Sequence, residues 1–338
     1  MNGQNHRLAT ISTLSVPPHL FLLCAPLFWA GNFVVARALR GDIPPVSLNF
    51  WRWVIALAIL LPLNYRQLRQ HRALLRTEWK IVVALGLTGV TAFNTFAYQA
   101  LSETTAINAL LFLSIVPVLM ALGSRLVFND VITGRHSVGI LISLPGAAIL
   151  TAHGDLRNLM HLQFNGGDLW MVGAVLAWTA FSVLLKRTPA ELPKATLLTA
   201  AILVGLGALM PIYAWRLALE AQIVFTASSV AGMLYVGLFA SVLAFYFWSK
   251  GIAQVGPSRA GMYMHIMPLA GTFLSVTLLG EEIAPFHLVG AALVFTGIAI
   301  TNWQSPATRA GRRPGHQGIR LKVLHNTRPG FLQGDRHT

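Results

Sequence analysis

Long apolar stretches recur along this chain, and they restrict its fold more than any other feature. Each is about as long as the roughly 20 residues that a helix needs to cross the hydrocarbon core of a bilayer. A backbone in lipid must satisfy its own hydrogen bonds, so apolar segments of this length are expected to be helical. The sequence therefore predicts ten membrane-spanning helices, near residues 18–38, 45–65, 80–101, 105–127, 136–152, 168–186, 194–215, 229–250, 258–279 and 286–303.

The composition agrees with a protein that is surrounded by lipid. Of the 338 residues, 55% are hydrophobic and only 11% are charged, whereas a soluble domain usually carries about 25% charged residues. This balance argues against an ordinary soluble enzyme and against a disordered chain. The single cysteine, Cys24, excludes an internal disulfide and a cysteine-based zinc or iron–sulfur site. We expect no metal and no cofactor.

The positions of the basic residues predict the orientation of the chain. The net charge is +14, and in so apolar a chain it is best explained by basic loops at an anionic membrane face. If both termini are cytoplasmic, most of the 25 Lys and Arg residues lie on the cytoplasmic side, as the positive-inside rule requires. We therefore expect a multi-pass protein of the inner (plasma) membrane, with a cytoplasmic N-terminal segment at 1–17. Residues 304–338 are expected to form a basic, disordered cytoplasmic tail that lacks the interleaved aromatic residues of a nucleic-acid binder.

The second half of the chain repeats the pattern of the first half. A shift of 151 residues pairs Gly86 with Gly237, Phe96 with Phe247, Ala109 with Ala260, Pro117 with Pro268, Asp130 with Glu281, His136 with His287, Gly139 with Gly290 and Gly146 with Gly297. A shift of 149 pairs Trp29 with Trp178 and Arg37 with Lys186. Each repeat, 18–152 and 168–303, holds five predicted helices, and an odd number makes the second copy enter the membrane from the opposite side. The prediction is an all-α integral membrane fold of ten transmembrane helices in two inverted five-helix repeats, an architecture of many secondary transporters.

Four segments carry more specific motifs. Residues 28–37 read Phe-Trp-Ala-Gly-Asn-Phe-Val-Val-Ala-Arg, residues 49–52 read Asn-Phe-Trp-Arg, and the segments 109–130 and 260–281 each contain a mid-helix proline. These segments resemble the first, second, fourth and ninth helices of the drug/metabolite transporter superfamily, EamA type. One departure is Asn129-Asp130, where the family usually has Gly-Glu. The resemblance implies a ten-helix carrier that exports or exchanges small metabolites through a central cavity, lined by helices 1–4 and 6–9.

Arg52 and His265 lie close to the middle of their predicted spans. Ionisable groups at that depth are costly, so each is a functional candidate by default. Arg52 could clamp a substrate carboxylate through two parallel hydrogen bonds, or it could hold a neighbouring helix. His265 could carry a coupling proton, because imidazole titrates near neutral pH. Its alternative is a neutral side chain that is hydrogen-bonded between helices.

Other side chains at depth complete the predicted substrate site. Asn32, Asn94 and Tyr98 can donate and accept hydrogen bonds toward a zwitterion, although each amide could instead join two helices. The aromatic residues that could wall an apolar cavity are Trp29, Trp178, Tyr246, Trp248 and Tyr263. Pro117 and Pro268 each free a backbone carbonyl one turn earlier, which predicts two hinges or, alternatively, two packing kinks.

These patterns favour a secondary active transporter over other membrane proteins. We expect it to move amino acids or related small metabolites by alternating access, with efflux as the direction, in contact with lipid and with a proton as a candidate coupling ion. An intramembrane enzyme is disfavoured because the eleven His are scattered and no acid lies near the middle of a span. No Walker loop marks an ATP-driven pump. A non-transporting sensor or assembly factor stays open as an alternative, and so does a homodimer.

Overall fold

The computed structural model describes residues 17–39, 41–104, 106–152, 154–155, 157, 165–219, 223–279 and 284–303. Every regular element within these ranges is a helix. Apart from residue 17, the segments 1–17 and 304–338, predicted to be cytoplasmic, lie outside the described residues.

The helices of the first half follow one another with short connections. They are α1 Pro18–Ala38, α2 Pro45–Gln70, α3 Arg72–Thr77, α4 Trp79–Leu85, α5 Phe93–Glu103, α6 Ala106–Ser114, α7 Val116–Phe128 and α8 Gly134–Thr151. A π-helical segment, Gly86–Ala92, joins α4 to α5 without a turn. Proline occupies the first turn of α1, α2 and α7, where its missing N–H would have no helical partner in any case.

The second half contains a corresponding series of helices. They are α9 Gly166–Leu184, α10 Lys194–Leu217, α11 Ala227–Tyr235, α12 Ala244–Val255, α13 Pro257–Gly261, α14 Ile266–Leu279 and α15 Pro285–Asn302. A second π-helical segment, Val236–Leu243, joins α11 to α12, and 3₁₀ turns occur at Leu185–Arg187 and Met262–His265. Asn165 and Thr226 begin α9 and α11 with capping boxes, which satisfy the first free backbone N–H groups.

Eight helical segments in the described part of the chain are long and apolar enough to cross a membrane. They are Pro18–Ala36, Pro45–Gln70, Trp79–Glu103, Ala109–Phe128, Gly166–Arg187, Lys194–Leu217, Ala227–Val255 and Pro285–Asn302. Two further predicted spans are helical but are not among these eight. The span 136–152 corresponds to α8, and the span 258–279 corresponds to α13, a 3₁₀ turn and α14. The described part of the chain is therefore all-helical, and its apolar helices are those of a multi-pass membrane protein by length and composition.

Irregular helical turns occur at corresponding positions of the two halves. The π-helical segments begin at Gly86 and Val236, and the 151-residue shift makes them overlap over nearly their whole length. Pro117 follows the break between α6 and α7, while Pro268 follows the 3₁₀ turn that precedes α14. Both predicted hinges thus lie next to departures from regular α-helix.

Helices α8 and α15 pack backbone to backbone through glycines. A Cβ atom on Gly139 would lie 2.7 Å from the Gly297 carbonyl oxygen, and a Cβ atom on Gly146 would lie 2.9 Å from that of Gly290. The contacts run in opposite directions along the two helices, which are therefore antiparallel. Small residues allow this close approach in a membrane, where packing replaces the hydrophobic effect.

Candidate functional site

A narrow cavity lies among α1, α5, α9 and the start of α14, so both halves of the chain contribute to it. Its lining consists of Trp29, Asn32, Phe33, Phe93, Asn94, Ala97, Tyr98, Trp178, Met264 and Met267. The free space holds about one water molecule. The cavity is therefore closed around its polar groups, and a metabolite fits only if the surrounding helices move apart.

Arg52, on α2, lies directly behind this lining. Its side chain is fully buried. The Nη1 atom donates to Asn94 Oδ1 and to the Tyr98 hydroxyl, both at 2.7 Å. The Nε atom donates to Ser241 Oγ at 2.7 Å, and Nη2 donates to the Ala240 carbonyl oxygen at 3.1 Å. Arg52 thus joins α2 to the third and eighth predicted spans and does not itself line the cavity.

No carboxylate neutralises the Arg52 charge within the described part of the protein. The ion pair found there, Lys186 with Asp130, lies at helix ends. The acids of the described ranges all occupy loops or helix ends: Asp42, Glu78, Glu103, Asp130, Asp155, Asp168 and Glu191. A buried guanidinium keeps its charge. Here it is stabilised by neutral oxygen atoms and by the ring of Trp53, whose centroid lies 5.2 Å from Arg52 Cζ.

The donors of Arg52 fix the orientation of the polar side chains in front of it. Arg52 can only donate, so Asn94 turns its Oδ1 atom toward it and directs Nδ2 to the Gly89 carbonyl oxygen at 3.3 Å. The Tyr98 oxygen also accepts from Arg52, and its own proton goes to Asn32 Oδ1 at 2.8 Å. The Asn32 Nδ2 group is left without an acceptor among the described residues. Acceptors therefore face the cation, and an amide donor remains on the cavity side.

The π-helical segment Val236–Leu243 supplies the acceptors that Arg52 needs. A π-turn lengthens the hydrogen-bonded ring and frees a carbonyl from the regular helical pattern. The Ala240 carbonyl oxygen accepts from both Arg52 and the Trp29 indole Nε1, the latter at 3.0 Å. Ser241 Oγ, which accepts from Arg52, donates to the Val236 carbonyl oxygen at 2.8 Å. The irregular turn and the buried cation thus stabilise each other.

Repeat-related tryptophans form the aromatic wall of the cavity. The rings of Trp29 and Trp178 meet edge to face with centroids 4.8 Å apart, and Phe93 lies 4.7 Å from Trp178. Trp248 packs behind them, and its Nε1 donates to Ser182 Oγ at 3.0 Å. The Trp178 side chain is fully buried, yet its Nε1 atom has no hydrogen-bond partner in the described residues. One of the residues that line the cavity thus carries an indole N–H group that is unpaired within the described ranges.

His265 lies outside the cavity lining. Its Nε2 atom donates to the Ser114 carbonyl oxygen at 2.8 Å, and Nδ1 lies 2.8 Å from Ser143 Oγ. Ser114 and His265 are 151 residues apart, which is the spacing of the repeat. The imidazole therefore joins the two halves where equivalent helices meet.

Two predicted cavity tyrosines also lie elsewhere. Tyr263 is buried, and its hydroxyl lies 2.6 Å from His19 Nδ1 and accepts from Asn302 Nδ2 at 3.2 Å. Tyr246 is half-buried, and its ring centroid lies 5.6 Å from Lys250 Nζ. The structure brings Trp29, Asn32, Asn94, Tyr98 and Trp178 together at the cavity, with Arg52 behind them.

Sequence reasoning missed several parts of this site. Ser241 is a small polar residue in the middle of a predicted span, and a search for such residues would have found it. The Ala240 carbonyl carries no side-chain signal at all. The apolar lining residues Phe33, Phe93, Met264 and Met267 look like any other apolar residues of a span.

Comparisons with known proteins agree with this architecture. Residues 17–152 and 165–303 each match the EamA-like transporter family. The chain is 23% identical over 290 residues to the uncharacterized transporter YyaM of Bacillus subtilis (strain 168), covering 83% of this chain and 92% of the relative. It is 22% identical over 300 residues to a probable terminal-alkyne amino-acid exporter of Streptantibioticus cattleyicolor, covering 86% and 97%.

A solved crystal structure shares the fold. It superposes with a TM-score of 0.69 at 21% sequence identity, over 84% of this chain and 97% of the other. The family matches and the names of the relatives point to a transporter rather than an enzyme. Because the family matches span most of its length, the chain belongs to the EamA-like transporter family, within the drug/metabolite transporter superfamily.

Proposed function

We propose that this protein is a secondary active transporter that moves amino acids or related small metabolites out of the cell by alternating access. The observation that carries the proposal is the closed cavity between the two halves, which is polar on one side and aromatic on the other. Alternating access needs such an enclosed midplane site, reached in turn from each side as one half moves against the other. The name of the amino-acid exporter among the relatives supports the substrate class.

The proposed architecture is ten transmembrane helices in two inverted repeats, 18–152 and 168–303. The packing of α8 against α15 supports it. Gly139 contacts Gly297 and Gly146 contacts Gly290, and the 151-residue shift exchanges these two contacts. A two-fold axis along the membrane normal would leave the equivalent helices parallel, so their antiparallel packing favours an axis in the membrane plane. We propose an inner-membrane location with both termini cytoplasmic, in keeping with the basic loops.

The proposed substrate site consists of Trp29, Asn32, Asn94, Tyr98 and Trp178. Arg52 acts as a positioning residue, because four of its five N–H donors are already used by protein acceptors. Pro117 and Pro268 are the proposed hinges. One chain supplies the whole lining, so the site does not require a homodimer.

Two roles are proposed for His265. Hydrogen bonds at both ring nitrogens favour a packing role between the halves. Transport of a coupling proton is the second role, since a buried imidazole between two moving halves could exchange a proton during the cycle. A pH-gradient measurement on His265→Gln separates them: a packing residue affects efflux equally with and without the gradient.

Efflux from preloaded proteoliposomes tests the proposed function. A panel of labelled amino acids, nucleosides and organic cations should give saturable efflux of amino acids. Asn94→Ala should reduce it at least about tenfold, because a buried donor–acceptor pair at the cavity is lost. Asn64→Ala is the matched control, since Asn64 is also buried but, among the described residues, its side chain bonds to Leu60 of its own helix and to no other helix. Folded protein without flux of any compound would favour the sensor or assembly-factor alternative.

A further inference from the structure

We infer that the cavity recognises a carboxylate and has no place for an ammonium group, so that its substrates are small carboxylates with an apolar body. Amino acids with apolar side chains belong to this class, but their amino group is not what the site binds. The inference rests on the proposed transport function and narrows its substrate.

Arg52 sets the direction of the hydrogen-bond donors at the cavity. Arg52 draws the oxygen atoms of Asn94 and Tyr98 toward itself, and Tyr98 in turn draws Asn32 Oδ1. The Asn32 Nδ2 group is thereby directed away from the chain of acceptors and has no protein partner in the described residues. The Arg52 cation, which lies behind the cavity lining, thus leaves the amide N–H groups of Asn32 unpaired in the described part of the lining. Such groups bind an oxygen acceptor.

Trp178 carries a second unpaired donor among the described residues. Its Nε1–H group is fully buried and unpaired in the described part of the chain. A buried polar group without a partner is costly and commonly marks a ligand position or a water position. Trp29, its counterpart in the first half, uses its own Nε1–H on the Ala240 carbonyl oxygen. Because Trp178 is one of the lining residues, we assign its unpaired donor to the binding surface.

The charged groups around the cavity make its electrostatic potential positive. No acid occurs in the cavity lining, and the acids in the described ranges lie at helix ends or in loops. Arg52 therefore contributes an unbalanced positive charge, and a weakly polar interior screens such a charge poorly. A carboxylate is attracted to this cavity, whereas an ammonium group would enter a positive potential without a counter-charge.

The remaining wall of the cavity has a different chemistry. Phe33, Phe93, Ala97, Met264 and Met267 are apolar and enclose the rest of the cavity. Methionine is unbranched and flexible, so Met264 and Met267 can adapt to bodies of different shape. One end of the substrate is thus an oxygen acceptor and the remainder is apolar.

Three probes with the same phenyl ring separate recognition of a carboxylate from recognition of an ammonium group. They are L-phenylalanine, which has both groups, 3-phenylpropionate, which lacks the amine, and 2-phenylethylamine, which lacks the carboxylate. Binding is measured by calorimetry on the full chain in lipid nanodiscs. We expect 3-phenylpropionate to bind within about threefold of L-phenylalanine, since the amine has no charged partner to lose. The affinity of 2-phenylethylamine should be at least about tenfold lower, because the donors lose their acceptor. The inference is overturned if 2-phenylethylamine binds as tightly as 3-phenylpropionate, or if 3-phenylpropionate does not bind.

Variants test the donors one at a time. Trp178→Phe keeps a ring but removes the N–H group, and we expect it to weaken 3-phenylpropionate about fivefold or more. Trp170→Phe is the matched control on the same helix, because Trp170 is exposed and lies outside the lining. Asn32→Ala should weaken the same probe. Unchanged affinity in both Trp178→Phe and Asn32→Ala, with thermal unfolding like that of the parent protein, contradicts the assignment.

A flux measurement keeps this inference separate from the proposed function. Efflux of labelled L-phenylalanine without binding of 3-phenylpropionate refutes carboxylate recognition and leaves transport intact. Binding of 3-phenylpropionate without efflux of either compound supports carboxylate recognition and refutes transport.

Discussion

Arg52 determines the polarity of the candidate site although it does not line the cavity. Its four hydrogen bonds go to neutral acceptors on the third and eighth predicted spans. An unpaired charge in the middle of a bilayer is costly, so the protein uses these acceptors to retain it. The planar fork of the guanidinium matters as much as the charge, because it reaches acceptors on different helices at the same time.

Arg52→Lys tests this role of the guanidinium fork. Lysine keeps the charge, but a single ammonium nitrogen cannot reach Asn94, Tyr98, Ser241 and the Ala240 carbonyl together. We expect amino-acid efflux to fall at least about tenfold and the thermal unfolding midpoint to decrease, because buried acceptors lose their donors. Arg66→Lys, at an exposed position of the same helix, should change neither quantity. Full efflux in Arg52→Lys would show that charge alone is sufficient.

The sequence predicts the depth of a side chain better than the direction in which it points. Asn94 and Tyr98 are four residues apart, so their common helix face was predictable, and both line the cavity. Tyr246 lies in a predicted span too, but its ring faces Lys250. Its direction depends on how the whole helix is rotated in the bundle. That rotation is set by contacts with neighbouring helices, which a single segment of sequence does not contain.

At the scale of helices, the apolar stretches were predictable and the irregular turns were not. The helix Pro18–Ala38 coincides with the predicted span 18–38, because bilayer thickness fixes its length. The π-helical segments Gly86–Ala92 and Val236–Leu243 have no such local signal. The turn at Val236–Leu243 provides a carbonyl to Arg52 and Trp29, which come from other helices. Its cause is tertiary, so a single segment of sequence does not contain it.

Gly297→Ala tests the glycine contact between α8 and α15. The added Cβ would lie 2.5 Å from the Gly139 carbonyl oxygen, which is backbone and cannot move aside as a side chain does. We expect a loss of stability of about 1–3 kcal/mol, the usual cost of overpacking, measured by unfolding in detergent. Gly207→Ala on α10 is the control, because nothing lies within 4 Å of its added Cβ. It should be neutral or stabilising by up to about 1 kcal/mol, since alanine is the better helix former. Equal stability of the two variants would show that α8 and α15 can separate freely.

At the scale of the whole molecule, a symmetric framework surrounds an asymmetric site. A Cβ on Gly86 would lie 2.6 Å from the Ala201 carbonyl oxygen, and a Cβ on Gly237 would lie 3.4 Å from that of Arg52. The 151-residue shift pairs Gly86 with Gly237, and the 149-residue shift pairs Arg52 with Ala201. The two contacts are therefore equivalent, and Ala201 is the counterpart of Arg52. The duplication was predictable from spacing, but the polar side chains that line the cavity, Asn32, Asn94 and Tyr98, all belong to the first half, as does Arg52. The proposed polar part of the site therefore comes from residues of the first repeat, whereas the aromatic wall, Trp29 with Trp178, comes from matching positions of both repeats.

An ion pair joins the two repeats at one end of this framework. Lys186 Nζ lies 2.5 Å from Asp130 Oδ2, and Ser124 also donates to this carboxylate. Burial alone would raise the pKa of Asp130, but the hydrogen bonds from Lys186 and Ser124 outweigh it and hold the pKa below its ordinary value of 3.8. A depressed carboxylate pKa stabilises the folded state above the ordinary value, and this contribution is lost as the pH falls through the lower, folded value. The ion pair is therefore intact throughout the neutral and mildly acidic range.

Asp130→Asn tests the contribution of this ion pair and its pH dependence. About a third of each side chain is exposed, so water screens the pair, and we expect a destabilisation of less than about 1 kcal/mol at pH 7. The difference between the parent protein and Asp130→Asn should be the same at pH 5, because Asp130 is charged at both values. It should shrink in about 1 M salt, where the screening length falls to about 3 Å. The exchange variant Asp130→Lys with Lys186→Asp restores the attraction with the charges reversed, and it should recover stability that either single change loses. If the exchange is no better than the single variants, Asp130 stabilises this end through Ser124, and the two repeats are held there by packing alone.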